Sequence, residues 1–240
     1  MFSILRAPAT HIAPMSSLAE LTSLSDWVSS LLQHPELLRM GHAQRREDDN
    51  LGLGWLYYAL ARIVWPTNAV VIGSYRGFVP LVLARAMADN SQGGQLHFID
   101  PSLVDDFWKD EAAVRDYCDA FGAANITHHL MTTQEFVQSP AYRQLNNLGI
   151  VVIDGFHAAA QARFDFDAFA PKFAPQGLVL LHDSVWRLRS KIYGPGREYV
   201  YDVVDFITEL KSRPGWQVFD LPFGDGLTLA RRDLVPAPPR

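Results

Sequence analysis

The chain has 240 residues, 48% of them hydrophobic and 20% charged, so it can bury a full core and lacks the composition of a disordered chain. A formal net charge of −5 argues against the concentrated basic face of a nucleic-acid binder, and no apolar run approaches the roughly 18 residues of a membrane span. The single cysteine, Cys118, excludes an intrachain disulfide, and residues 1–14 lack the apolar stretch of a signal peptide, which predicts a soluble, cytoplasmic protein.

Residues 16–40 read as helical. Leu18, Leu21, Leu24, Trp27, Val28, Leu31 and Leu32 recur at three- and four-residue steps, and Pro35 starts a second short helix. Residues 41–50 are polar and read as a connection. A third helix spans 51–64, broken by Trp65-Pro66-Thr67-Asn68. Strand and helix then alternate. Strands are predicted over 69–72, 95–99, 125–130, 150–153 and 178–181. Helices follow them over 78–88, 107–121, 134–145, 158–173 and 198–212. This repetition predicts a doubly wound, mostly parallel sheet with helices on both faces. Strands over 216–220 and 227–231 have no helix between them and predict an antiparallel hairpin at one edge. The tail Pro236-Ala237-Pro238-Pro239 cannot join a sheet. The division expected is a helical segment, 1–50, acting as a lid or an oligomer contact, and a ligand-binding domain, 51–240.

Ligands in such a sheet bind beyond the carboxyl ends of the strands. Four features fall on that edge. Gly73-Ser74-Tyr75-Arg76-Gly77 follows the first strand as a tight turn opening a helix, where glycine lets backbone amides approach a ligand. Without the middle glycine of G-x-G-x-x-G it is a poor nicotinamide-dinucleotide turn. Asp100, before Pro101, closes the second strand, where a carboxylate can accept both hydroxyls of a ribose. Asp154, in Ile153-Asp154-Gly155-Phe156-His157, and Asp183, in Leu181-His182-Asp183-Ser184, close the fourth and fifth. On neighbouring strands about 4.8 Å apart, these two carboxylates could share a divalent cation. Without one they need a proton or a donor between them. His157 faces the same mouth and can take a proton from a hydroxyl. His182 reads as structural, turned into the sheet, and His128 and His129 point to opposite faces. The stretch 186–197, with Lys191, Tyr193, Gly194-Pro195-Gly196 and Arg197, reads as a loop over the mouth whose aromatics suit a ring-like acceptor.

The order of elements, ending in the antiparallel hairpin, resembles the seven-stranded class I S-adenosylmethionine-dependent methyltransferases. Val70-Val71-Ile72-Gly73-Ser74-Tyr75-Arg76-Gly77, Phe98-Ile99-Asp100, Val152-Ile153-Asp154-Gly155-Phe156-His157, Gln176-Gly177-Leu178, Leu181-His182-Asp183 and Leu221-Pro222-Phe223-Gly224-Asp225-Gly226-Leu227 look like the macrocin O-methyltransferase and cephalosporin-hydroxylase-like group. The resemblance covers residues 51–233. It implies O-methylation of a small-molecule acceptor with S-adenosylmethionine. Gly73, Ser74, Tyr75, Arg76 and Gly77 would hold the methionine part, Asp100 with Pro101 the ribose, and Thr132 and Thr133 the adenine, with Asp154 also lining the cofactor. It implies magnesium on Asp154 and Asp183, and His157 as the base. The group's acidic residue two places before the first motif glycine is Val71 here. A nicotinamide-dependent oxidoreductase, a non-catalytic binding protein and a hydroxylase on the same scaffold are the competing readings.

Overall fold

A computed structural model describes residues 23–38, 41–90 and 94–233. Parts of the predicted first helix (16–22 and 39–40) and the proline-rich tail lie outside them. The described helices are α1 (Leu24–Gln33), α2 (Leu53–Val64), α3 (Phe78–Asp89), α4 (Glu111–Ala120), α5 (Thr133–Phe136), α6 (Pro140–Gln144), α7 (Ala159–Phe169) and α8 (Val203–Leu210). The strands are β1 (Asn68–Ile72), β2 (Gln95–Ile99), β3 (Ile126–His129), β4 (Leu148–Ile153), β5 (Phe173–His182), β6 (Leu188–Ser190), β7 (Tyr199–Tyr201), β8 (Trp216–Leu221) and β9 (Leu227–Arg232). Seven of them form one sheet, ordered β3-β2-β1-β4-β5-β9-β8, with β1 to β5 parallel and β9 antiparallel to both β5 and β8.

The central strands are buried on both faces, which is why they read as unbroken Val/Ile/Leu runs. Alternate residues serve two cores. Val71, Phe98, Val152 and Leu180 face one layer with α1 to α4, and Ile72, Ile99, Ile153 and Leu181 face the other with α7 and α8. The apolar stripe of α1 belongs to the first core: Trp27, Val28, Leu31 and Leu32 are buried there, and the Trp27 indole donates to the Phe121 carbonyl at 3.0 Å. This stripe is thus covered by the chain's own helical layer.

Several elements differ from the sequence reading, each for a local reason. The fourth helix starts at Glu111, because Asp110 accepts from the amides of Ala112 and Ala113 and so caps it there. The single helix expected over 134–145 is two short ones. Thr132 and Glu135 form a capping box at the first, and Ser139-Pro140 starts the second. The next helix ends at Phe169 and passes into a 3-10 turn containing Pro171. The helix predicted from residue 198 begins only at Val203. Tyr199-Val200-Tyr201 instead pairs antiparallel with Leu188–Ser190, which turns the predicted mouth loop into a hairpin. Alternating aromatic and β-branched residues suit that pairing. Among the described residues no helix is long and apolar enough to cross a membrane.

Candidate active site

The site is built at the carboxyl edge where the strand order reverses, between β1 and β4. Register brings its parts level. Ile72 pairs with Ile99 and with Ile153, and Ile153 pairs with Leu181, so Gly73, Asp100 and Asp154 come one step past their strands, level with His182, the last residue of β5. Backbone bonds lock these ends: Gly73 N to Ile99 O at 2.8 Å, Asp154 N to Ile72 O at 2.8 Å and Asp100 N to His129 O at 3.1 Å. A cleft of about 540 Å³ opens over them. Every site residue named from the sequence lines it except Gly77, which begins α3 just behind the turn.

Gly73 is obligatory. Its φ is +69°, and a Cβ there would lie 2.3 Å from the Gly155 Cα. The turn continues through Tyr75 at φ 47°, a left-handed conformation that a bulky residue holds only when its surroundings impose it. The Trp108 indole supplies part of that constraint by donating to the Tyr75 carbonyl at 2.7 Å. The Arg76 guanidinium reaches outward. It pairs with Asp105 at 2.6 Å, approaches Glu36 at 3.5 Å and stacks on the rings of Tyr75 and Phe107. The acidic position replaced by Val71 is fully buried in the core.

Asp100 lines the cleft beside Pro101, and its Oδ1 accepts the Ser102 amide at 2.7 Å. Burial pushes its carboxyl up to about 6, against the opposing pull of amide hydrogen bonds from Ser102 and Ser74. Thr132 spends its side chain on the α5 cap, while Thr133 is buried in the wall beside Asp165. Asp165 accepts from Gln161 at 2.8 Å, and burial raises it to about 7.

The acidic end is more histidine-rich than the sequence reading allowed. The gap between Asp154 and Asp183 holds the His182 ring, with Nδ1 2.9 Å from Asp154 Oδ1 and 3.1 Å from Asp183 Oδ1. The sequence reads His182 as mainly structural; the structure places its ring in the cleft, between the two carboxylates. Parity explains it: Ile153 and Leu181 face one core, so the next residues, Asp154 and His182, face the other together. Asp183 is turned back towards them by a left-handed backbone, φ 51°. His42, from the connection before α2, completes the group. Its ring stacks on Phe78 at 5.0 Å and packs 4.3 Å from His182, with Nε2 3.7 Å from Asp154. His157 Nε2 lies 3.7 Å from Asp183 and 3.9 Å from Asp154, and its ring packs 4.3 Å from Tyr201.

Charges follow from this packing. Burial would raise the Asp154 carboxyl, but His182, His42 and His157 around it prevail and hold it below the usual carboxylate range. Burial would lower His182, yet Asp154 and Asp183 hold it up at about 9. Burial pushes His42 down to about 3 and His157 down to about 4, and raises Asp183 to about 6. At neutral pH two carboxylates and one imidazolium leave one net negative charge, which suits a cationic ligand. Magnesium does not suit this arrangement. It prefers oxygen ligands and near-octahedral geometry, whereas an imidazole fills the space between the carboxylates.

His42 was invisible in the sequence because nothing local marks a histidine in a polar connection. His182 could have been found by carrying strand parity across the β4–β5 pair. Tyr199 and Tyr201 were missed because the β6–β7 hairpin was not foreseen. With Phe156 stacked on Tyr199 at 4.6 Å and 6°, they form an aromatic wall over the mouth.

Residues 70–184 match the family model of a methyltransferase domain. The chain has the fold of the class I methyltransferases. A protein from Corynebacterium glutamicum superposes with a TM-score of 0.59 at 20% identity, covering 90% of this chain and 94% of that one. The O-methyltransferase from Bacillus cereus in complex with SAH gives a TM-score of 0.60 at 14% identity, with the same coverage of 90% and 94%. TomG, an O-methyltransferase from Streptomyces achromogenes involved in tomaymycin synthesis, was solved with SAM and gives 0.56 at 18% identity, covering 90% and 93%. A search of curated proteins finds no match. This methyltransferase-fold chain departs from its sequence-based expectation mainly in the histidines around Asp154.

Proposed function

We propose that the protein transfers a methyl group from S-adenosylmethionine to an oxygen of a small-molecule acceptor, within the macrocin O-methyltransferase-like group. One observation carries the reading: a single cleft joins the Gly73–Gly77 turn and Asp100 to the Asp154, His157 and Asp183 cluster. The glycine turn and the start of α3 offer backbone amides to a carboxylate, and Asp100 offers an acceptor to ribose hydroxyls. Bound S-adenosylmethionine supplies an electrophilic sulfonium methyl. The protein must aim an acceptor oxygen at it and remove one proton.

His157 is suited to take that proton. Burial keeps it neutral at physiological pH, so Nε2 is available as an acceptor. The imidazolium formed then faces Asp154 and Asp183, which stabilise its charge. With the cofactor supplying the methyl group, His157 would take the acceptor's proton at Nε2 and later lose it to solvent. The loop carrying His157 is held by Asp202, whose carboxylate accepts the Ala159 amide at 2.6 Å and whose amide donates to the His157 carbonyl at 3.0 Å. Tyr193, Tyr199, Tyr201 and Phe156 favour a planar acceptor ring.

Calorimetry with S-adenosylmethionine and S-adenosylhomocysteine, followed by methyl transfer from labelled cofactor to a panel of phenols and sugars, tests this. The expected result is micromolar cofactor binding and label in an ether-linked product. Binding of NAD with no binding of either adenosyl compound would refute it.

A further inference from the structure

We infer that the cleft takes, as its acceptor, a hydroxylated aromatic of several fused or conjugated planar rings, lying along a track of side chains from His157 out to Phe156. The placing of the reacting hydroxyl rests on the methyl-transfer reading; the rest of the molecule is read from the track itself. The track is a row of ring contacts. His157 packs 4.3 Å from Tyr201, Tyr201 lies 5.1 Å from Tyr199, and Tyr199 stacks on Phe156 at 4.6 Å with 6° between planes. Tyr193 flanks the outer half, 5.7 Å from Tyr199 and 6.3 Å from Phe156. All of these residues line the cleft. Exposure rises along the row: His157 and Tyr201 are each 8% exposed, Tyr199 is half-buried and Phe156 is 44% exposed.

Backbone geometry sets this row. In the β6–β7 hairpin Leu188 pairs with Tyr201 and Ser190 with Tyr199, so these four side chains share the ribbon face that lines the cleft. Val200, on the opposite face, is exposed. The mouth also carries Leu103, a cleft residue that is 60% exposed. Large apolar groups held open at a cleft mouth mark a surface that a ligand covers. Packing among the rings explains the buried inner pair but gives no reason for Phe156 and Leu103 to face water at the rim. An acceptor of one ring, with its hydroxyl at His157 Nε2, reaches the Tyr201 end and leaves the outer rings unused. Each further coplanar ring covers more of Tyr199, Tyr193 and Phe156, gaining both apolar burial and ring contact.

The test is binding of a graded series to the full chain, with and without saturating S-adenosylhomocysteine, read by calorimetry, together with the KM of each compound in methyl transfer. The series is catechol, a dihydroxynaphthalene and a dihydroxyanthraquinone with adjacent hydroxyls, and cyclohexylcatechol as a non-planar counterpart of the two-ring member. Kd and KM should fall by about five- to tenfold for each planar ring added, while cyclohexylcatechol stays within about twofold of catechol. Phe156→Ala should cut the affinity of the three-ring compound about tenfold more than it cuts that of catechol, with circular dichroism to verify folding. Equal affinities across the planar series, cyclohexylcatechol binding as tightly as the two-ring compound, or a Phe156→Ala loss equal for all compounds would overturn the inference. A graded series with no label passed to any compound would keep this ligand class and refute methyl transfer. Transfer to catechol with no preference for added rings would keep methyl transfer and refute the track.

Discussion

Replacing Asp100 by Asn separates the ribose role of this carboxylate from its structural one. The side-chain oxygen that accepts the Ser102 amide is retained, so the loop after β2 keeps its anchor. What is lost is the charge that strengthens two hydrogen bonds to ribose hydroxyls. Bonds to charged groups contribute about 1.5–3 kcal/mol each, and an amide keeps part of that, so the expected loss is about 2–4 kcal/mol, or roughly 30- to 1000-fold in S-adenosylhomocysteine affinity. The wild-type protein makes a second, internal prediction. Burial pushes the Asp100 carboxyl up to about 6, and only the ionised form accepts both hydroxyls. Affinity should therefore weaken as pH falls through that value, by about tenfold between pH 7.5 and pH 5. The unliganded fold responds in the opposite sense: a carboxyl raised in the folded state favours folding at low pH and loses that contribution as pH rises. Isothermal titration at several pH values, with circular dichroism to verify folding, reads both effects. A wild-type affinity flat from pH 5 to 7.5, or an Asn variant within threefold of wild type, would refute the ribose assignment.

Three further outcomes follow from the geometry. His157→Gln should lower kcat by about 10²–10⁴-fold while S-adenosylhomocysteine affinity changes less than about threefold; equal losses in both would make His157 a cofactor-pocket residue. Asp165 is raised to about 7 by burial, so its folded form holds a proton that the unfolded chain has lost, and its contribution to stability fades as pH climbs from about 4 through 7. Asp165→Asn should thus gain up to a few kcal/mol relative to wild type on going from pH 5 to pH 8, and urea denaturation showing the same difference at both pH values would contradict that. Trp27→Ala should cost about 3–5 kcal/mol, because α1 belongs to the core; a cost below about 1 kcal/mol in the same assay would mean that the N-terminal helix behaves as a detachable lid.

Much of this was legible in one dimension. The β-branched runs 69–72 and 150–153, set between helical periods, announce a parallel sheet because a strand buried on both faces has no other composition open to it. The closing hairpin was legible because Leu221-Pro222-Phe223-Gly224-Asp225-Gly226 cannot hold a helix. Gly73, Asp100, Asp154 and Asp183 were legible as a set because each directly follows or closes a strand, and strand ends in this topology share one rim. Tertiary structure decided what fills that rim. The β4–β5 register places His182, rather than Asp183, beside Asp154, and a left-handed turn swings Asp183 back to meet them. His42 arrives from a connection more than 100 residues away in sequence, carried in by the packing of α2 against α3. Local patterns determine which backbone forms, since hydrogen bonding and burial periodicity act over a few residues. Which side chains share a charge environment depends on register and on layers meeting across the sheet, and those are properties of the folded chain alone.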